Sequence, residues 1–483
     1  MLGEESWIKR QLRRIVDIYF WGAFLPIIIV KLVLFQFVAG QYLATGVHPL
    51  FGWDFAVVEG YSDFTYYYMN FVRRFVQGYL PYTENLYLIN GMQTYIYPPL
   101  FVYILGAFSF VPFEALFPNL IIESLLLGRS LDFLRVGFTF IVFDLATCVV
   151  IYLTARRLSS HRLIPMAALL VFAFNPISLW WGNYLWLSTP IHTFFLMLGF
   201  FYLVRQEMLW AVVWITVAVM VKQTAALLLP LVLFMEWRQS IERFFTAVAV
   251  AVAIMLLVSL PYLALFPFPY LEAITAGMGS YWFYDALPPV THPVPVSVLA
   301  IGWSEPFKFI AFMVTFHGIP WYSFLALFWI SGILIAEQSG QKYTDQVLLV
   351  ALLLSLASHI FFARGLYKFY LIALLPFLVL FGTSLNHPIR TSTEESSGTT
   401  FWQRIRQCLL RGINNWATLW FVLVVVVSLG IFFINRYFTH LLLLSVFLPL
   451  FGFTVYHYAW LPYRLRKAKQ PTRELNGAPV LEN

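Results

Sequence analysis

The chain has 483 residues, 61% of them hydrophobic and only 11% charged, with a formal net charge of +7 and a mean hydropathy of +0.77. A soluble domain is roughly 25% charged, so this composition excludes a soluble globular protein and indicates an integral membrane protein. The basic excess sits at the ends of apolar runs, where it sets topology, which argues against nucleic acid as a partner.

Lys9, Arg10, Arg13 and Arg14 precede a long apolar run with no small-residue cleavage site, which is expected to be a retained first span rather than a signal peptide. Spans are predicted at 19–39, 131–155, 163–181, 189–205, 208–221, 223–237, 243–263, 320–336, 345–362, 365–384, 416–434 and 438–460. A full span needs about 20 apolar residues, so the short 208–221 and 223–237 read as two legs of one hairpin around Lys222. Every Arg/Lys cluster then falls on the cytoplasmic side, provided that 96–127 makes no net crossing. That stretch is expected to be a shallow hairpin or an interfacial helix, with Pro98 and Pro99 in a first turn and Pro112 and Pro118 as interruptions. Residues 1–384 form one membrane module with external loops 40–130 and 264–319, followed by a cytoplasmic linker (385–415), a two-helix addition (416–463) and a basic, disordered tail (464–483). Cys148, in an apolar run, and Cys408, in a basic loop, are not expected to pair.

Residues 54–100 interrupt this apolar landscape. The chain holds only 23 acidic residues, yet Asp54, Glu59, Asp63 and Glu84 gather here among tyrosines. From Asp63, the positions Phe64, Tyr67, Tyr68, Phe71 and Phe75 recur at helical spacing, which predicts an interfacial helix with Arg73 and Arg74 toward headgroups. Asp63 either caps that helix or works as an acid–base group, and capping leaves Glu59, one turn earlier, unexplained. Tyr and Trp favour headgroup depth for physical reasons alone, so a bare interfacial collar is the competing explanation.

Downstream, Lys222 must snorkel or meet an anion, because an unpaired ammonium in hydrocarbon is costly. Arg364 and Lys368, flanked by His359 and Tyr370, suit a phosphate or serve as headgroup anchors. Trp180, Trp181 and Trp186 read as a belt, with Asn183 and His192 able to meet sugar hydroxyls and Tyr61 and Tyr97 as further substrate contacts. Loop 264–319, with Glu272, Asp285, His292 and Glu305, is long enough for a lid, while His317 reads as a core or interfacial histidine. No glycine-rich phosphate loop or nucleotide fingerprint occurs, which argues against an ATP-driven pump and a cytosolic nucleotide-binding domain.

Asp63-Phe64, Gly78, Pro81-Tyr82 and Tyr97-Pro98-Pro99-Leu100 form an ordered series. Arg135 then precedes a helix ending Ala155-Arg156-Arg157-Leu158, Asn175-Pro176 precedes Trp181-Gly182, and Lys222-Gln223 precedes Leu229-Pro230. In this order the chain resembles the integral-membrane glycosyltransferases of the GT-C superfamily, in particular the polyprenyl- or dolichyl-phosphate-mannose-dependent mannosyltransferases, over residues 19–384. The resemblance implies an all-α polytopic fold of about 12 transmembrane helices plus interfacial or re-entrant helices in the first external loop. It implies inverting transfer of a sugar, mannose first, from a polyprenyl-phosphate donor to a lipid-linked or glycan acceptor on the non-cytoplasmic face of a cell or endoplasmic reticulum membrane. Such transfer needs a carboxylate that deprotonates the acceptor hydroxyl. By resemblance that base is Asp63, supported by Glu59, with the donor phosphate near Lys222, Arg364 and Lys368. Two departures stand out. Where many relatives carry an aspartate pair, the partner position is Tyr61 and the extra acid is Glu59. Trp181-Gly182-Asn183-Tyr184 brings no acid before His192, which leaves a divalent cation optional.

Two other functions compete. A transporter or flippase for a lipid-linked glycan would favour inverted repeats and charges buried near mid-membrane; no internal repeat is visible, and the charges are expected to gather at one surface. A structural scaffold would explain aromatics and loops but not the acidic cluster.

Overall fold

A computed structural model describes residues 18–46, 63–82, 95, 97–159, 161, 163–277, 341–361, 370–385, 415–433 and 436–456. Glu59, Tyr61, Arg364, Lys368, the span 320–336, most of loop 264–319, the linker and the tail lie outside these residues, as does the side chain of His359. The chain is an all-α polytopic membrane protein. It opens with α1 (Ile18–Thr45), a π-helical turn (Asp63–Tyr68) leading into α2 (Met69–Val76), α3 (Pro99–Phe108), a 3-10 turn (Phe113–Leu116) and α4 (Pro118–Leu127). Next come α5 (Asp132–Leu158), α6 (Leu163–Ala173), a second π-helical turn (Ser178–Tyr184), α7 (Thr189–Val204) and α8 (Met208–Val221). A 3-10 turn (Gln223–Leu227) leads to α9 (Leu229–Gln239), α10 (Ile241–Leu265) and α11 (Pro267–Gly277). The last helices are α12 (Gln341–Phe361), α13 (Leu371–Ser384), α14 (Trp416–Phe433) and α15 (Arg436–Thr454).

Among the described residues, α1, α5, α10 and α14 are long and apolar enough to cross a membrane, and α6 with the turn after it, bent by 60°, adds a fifth if counted as one span. That bend breaks the expected continuous span 163–181. Pro176 cannot supply a backbone N–H to the helical ladder, and Asn175 Oδ1 instead takes the Ile177 N–H at 3.0 Å. The expected interruption at Lys222 is present. This residue is extended (φ −154°), and α-helix resumes only at Leu229, with Pro230 in its first turn. Within 96–127, α3 and α4 have ten residues each, about 15 Å against the roughly 30 Å of a hydrocarbon core, so neither crosses alone. Arg135 ties this segment to α5 by donating to Glu114 Oε2 at 2.9 Å and to the Ser109 carbonyl at 3.0 Å.

Helix α5 is the hub. In its most apolar stretch 72% of residues are buried, against 17% in α10, and it packs on α1, α3, α6, α7 and α13. Helices α7 and α8 approach closely because Gly199 has no side chain: a Cβ there would stand 2.6 Å from Ile215 Cγ1. Helix α14 docks on α6 and α13, with Asn175 Nδ2 donating to Ser428 Oγ at 2.8 Å and Trp420 Nε1 donating to the Leu378 carbonyl at 2.7 Å.

Candidate functional site

Among the described residues, one fully buried polar feature is concealed by hydropathy. Lys31, midway along α1, and Asp144, midway along α5, form a direct ion pair with both side chains fully buried. The expectation that charges gather at one surface is therefore corrected. An isolated charge in hydrocarbon is prohibitive, and each of these is accommodated by the other. Ser178 Oγ donates to Asp144 Oδ1 and Asn183 Nδ2 to Asp144 Oδ2, both at 3.3 Å, and Asn183 Nδ2 also donates to the Ser178 carbonyl at 2.9 Å. Both partners of that amide nitrogen are acceptors, which sets the orientation of the Asn183 side chain. Asn183, expected to meet sugar hydroxyls, is thus fully buried and turned to the ion pair.

The π-helical turn held by these bonds continues into a tight bend. The Leu185 N–H reaches the Trp180 carbonyl at 2.9 Å and the Leu187 N–H reaches the Trp181 carbonyl at 3.1 Å. Between them Trp186 adopts φ +52°, a left-handed conformation costing about 1–2 kcal/mol for an L-residue with a Cβ. Packing holds it there. Its ring, fully buried, lies against Phe35 (5.1 Å between centroids), Phe64 (4.9 Å) and Phe133 (6.5 Å). Gly137 on α5 leaves the space: a Cβ there would stand 2.7 Å from Trp186 Cε3. Trp181 and Trp186 are interior, so an interfacial belt does not account for them.

Asp63 opens the first π-helical turn and is half-buried. The expected regular helix from Asp63 begins only at Met69, and two side chains of the turn clamp it to the Trp186 bend. Phe64 meets the Trp186 ring edge to face, and Tyr68 Oη accepts the Ser188 N–H at 3.3 Å. Tyr68 and Tyr97 hydroxyls lie 3.4 Å apart, and Ser188 Oγ donates to Tyr97 Oη at 3.4 Å. Burial pushes the Tyr68 hydroxyl well above the usual phenol range, with Tyr97 and the Asp63 carboxylate adding to the effect. The Tyr68 hydroxyl therefore stays neutral within electrostatic reach of Asp63.

The wall continues along the first turn of α7. His192 Nε2 lies 3.3 Å from Thr224 Oγ1, two residues beyond Lys222, whose ammonium sits over the Tyr370 ring at 3.7 Å from its centroid. Such a cation–π contact is worth up to about 2 kcal/mol when desolvated. A second aromatic layer backs this wall. Tyr82 donates to the Tyr97 carbonyl and packs against Tyr95, Tyr262 and Tyr270 at 5.4, 4.6 and 5.0 Å. Tyr68, Tyr82, Tyr95 and Tyr97 are all buried, which a headgroup-depth collar does not account for. Arg73, expected toward headgroups, is half exposed and pairs with Asp132 at the start of α5, its Nε donating at 2.6 Å.

Three separate contacts thus involve the expected residues. Tyr68, Tyr97 and Ser188 are bonded together beside Asp63, His192 meets Thr224 and Lys222 meets Tyr370. The chain joins these groups through 188–192 and 222–224, while Asn183 lies on the Asp144 side of the bend. Sequence reasoning missed Lys31, Asp144, Tyr68 and Ser188 as site-forming residues. A signal existed for the first two, each a lone charge inside an apolar run. Chemically, the arrangement offers a half-buried acidic residue, buried hydroxyls and an ammonium against a ring. Among the described residues no three His, Cys, Asp or Glu side chains gather as a metal site. No family model, curated protein or solved structure matches the chain.

Proposed function

We propose that the chain is an inverting glycosyltransferase of the GT-C type, moving a sugar, mannose first, from a polyprenyl-phosphate donor to a lipid-linked or glycan acceptor at the external face of the membrane. One observation carries the proposal. Asp63 is half-buried on a turn clamped through Phe64 and Tyr68 to the buried hydroxyls of Tyr97 and Ser188, which the chain joins to the contacts made by His192 and Lys222. In this reading Asp63 removes the proton of the acceptor hydroxyl, the hydroxyls of Tyr97 and Ser188 orient sugar, and Lys222, with Arg364 and Lys368, balances the phosphate that departs. About twelve membrane helices, with the span 320–336 among them, complete the proposed fold.

The test is Asp63→Asn in purified protein supplied with polyprenyl-phosphate mannose, glucose or arabinose. Turnover should fall by about 10²-fold or more, while melting temperature and donor binding stay at the wild-type level. Near-normal turnover sinks the assignment, and the donor that supports wild-type turnover names the sugar. A second reading, transport of a lipid-linked glycan, is favoured by the ion pair buried in mid-span. Net movement of labelled lipid across vesicles containing the wild-type protein, without sugar transfer, would establish it instead.

A further inference from the structure

We infer that the Lys31–Asp144 pair is a positioning device: acting through Ser178 and Asn183, it fixes the bend that presents Ser188 to Tyr68 and Tyr97. The inference bears on the wall of the proposed transfer site, but the measurement below needs neither donor nor acceptor.

Three observations carry it. First, the carboxylate of Asp144 is bonded to more than its lysine. It accepts from Ser178 and Asn183, the first and sixth residues of the π-helical turn, so one side chain of α5 holds the turn near both its ends. Second, the turn passes this constraint on through backbone alone. The Leu187 N–H bonds to the Trp181 carbonyl inside the turn, and Ser188 follows directly, bonded by its N–H to Tyr68 and by its Oγ to Tyr97. Third, the bend contains a left-handed tryptophan, a conformation that persists only when the surroundings over-determine it. Gly137 and Phe133, on the same helix as Asp144, supply part of those surroundings.

A fold stabiliser and a positioning device predict different outcomes when the pair is replaced whole. A buried ion pair exchanged for apolar residues of similar volume is often neutral or favourable for stability. Lys31→Met/Asp144→Leu should therefore keep its melting temperature, while Ser178 and Asn183 lose the carboxylate that held the turn.

The readout is thiol labelling. Cys408→Ser leaves Cys148 as the remaining native thiol, fully buried on α5 one turn beyond Asp144, and Ser188→Cys adds a reporter on the bend. With a small maleimide, the double replacement should speed labelling at position 188 by roughly tenfold or more, the size expected when one or two buried hydrogen bonds are lost. Cys148 should stay as slow as before. Lys31→Met/Asp144→Asn, which restores an uncharged acceptor to Ser178, should slow position 188 again. If the double replacement does not give monodisperse protein, Ser178→Ala/Asn183→Leu cuts the turn from Asp144 and leaves the ion pair, with the same split expected. Equal labelling at position 188 with and without the pair overturns the inference, as does a parallel rise at Cys148, which would mark a general loosening of the bundle.

Discussion

The centre around Asp144 and the wall around Tyr68 are both polar islands in an apolar bundle, and they are bonded in opposite ways. Around Asp144 two full charges are in direct contact with no solvent exposure, and neutral donors complete the carboxylate. Around Tyr68 the partners are hydroxyls and a backbone amide at 3.3–3.4 Å, lengths that match the neutral bonds to Asp144 at 3.3 Å, so the difference lies in charge and not in length. A charge network in low dielectric has one good arrangement and resists any other. Bonds between neutral hydroxyls are weaker than bonds to a charged group and exchange more cheaply for the hydroxyls of a ligand. The difference teaches a division of labour, with a stiff foundation under an adaptable surface.

Breaking the foundation on one side should have the largest effect. Asp144→Leu alone leaves Lys31 charged and buried without its carboxylate, and should cost about 3–5 kcal/mol, read as loss of monodisperse protein or a steep fall in melting temperature. The hinge between the two centres comes next. Gly137→Ala pushes a methyl into Trp186 and should cost about 1–3 kcal/mol, with greater labelling of a Ser188→Cys reporter. On the adaptable side, Tyr68→Phe removes the acceptor of the Ser188 N–H and should cost about 1–2 kcal/mol, a shift in melting temperature that leaves the protein folded.

The smallest effect is at the periphery and concerns pH. The hydrogen bond from Arg135 holds the Glu114 carboxyl below the ordinary carboxylate range. Its folded-state pKa lies below the unfolded value of about 4.3, so the unfolded chain binds more protons between the two. The contribution is then present above the unfolded pKa and lost as pH falls through the folded one. The side chains of this pair are 33% and 14% exposed, so solvent screening keeps the gain under about 1 kcal/mol. Glu114→Gln should flatten the melting temperature against pH below the unfolded value. A slope equal to wild type would remove Glu114 from the account.

The helices were legible where composition alone decides them. The span predicted at 19–39 is the core of α1, 131–155 matches α5, and the break at Lys222 follows from a lysine that apolar periodicity cannot absorb. Asp63, Tyr97, His192 and Lys222 were legible as residue types out of place in an apolar chain. Their neighbours were not. Lys31 and Asp144 are 113 residues apart, and nothing in a single sequence says that two lone charges belong to each other. Asn183 was legible as a polar side chain at a span end, but its bonds to Asp144 and to the Ser178 carbonyl were not, because no periodicity announces a π-helical turn. The contact of Gly137 with Trp186 depends on a left-handed backbone that neither residue type signals.

The ion pair also has a consequence for how the protein is made. Lys31 is synthesised long before Asp144, so α1 must enter the bilayer carrying an ammonium whose partner does not yet exist. At the centre of a span a lysine opposes insertion by about 2.5–3.5 kcal/mol, and the strongly apolar remainder of α1, with a mean hydropathy of 2.2 in its best stretch, has to offset it. The first span is then held loosely until the hub helix arrives and closes the pair. Nascent chains stalled just before and just after α5 emerges should differ sharply in how readily α1 slips back out of the membrane, and Lys31→Met should abolish that difference. That outcome would make the order in which two charges leave the ribosome a checkpoint in the membrane assembly of this bundle.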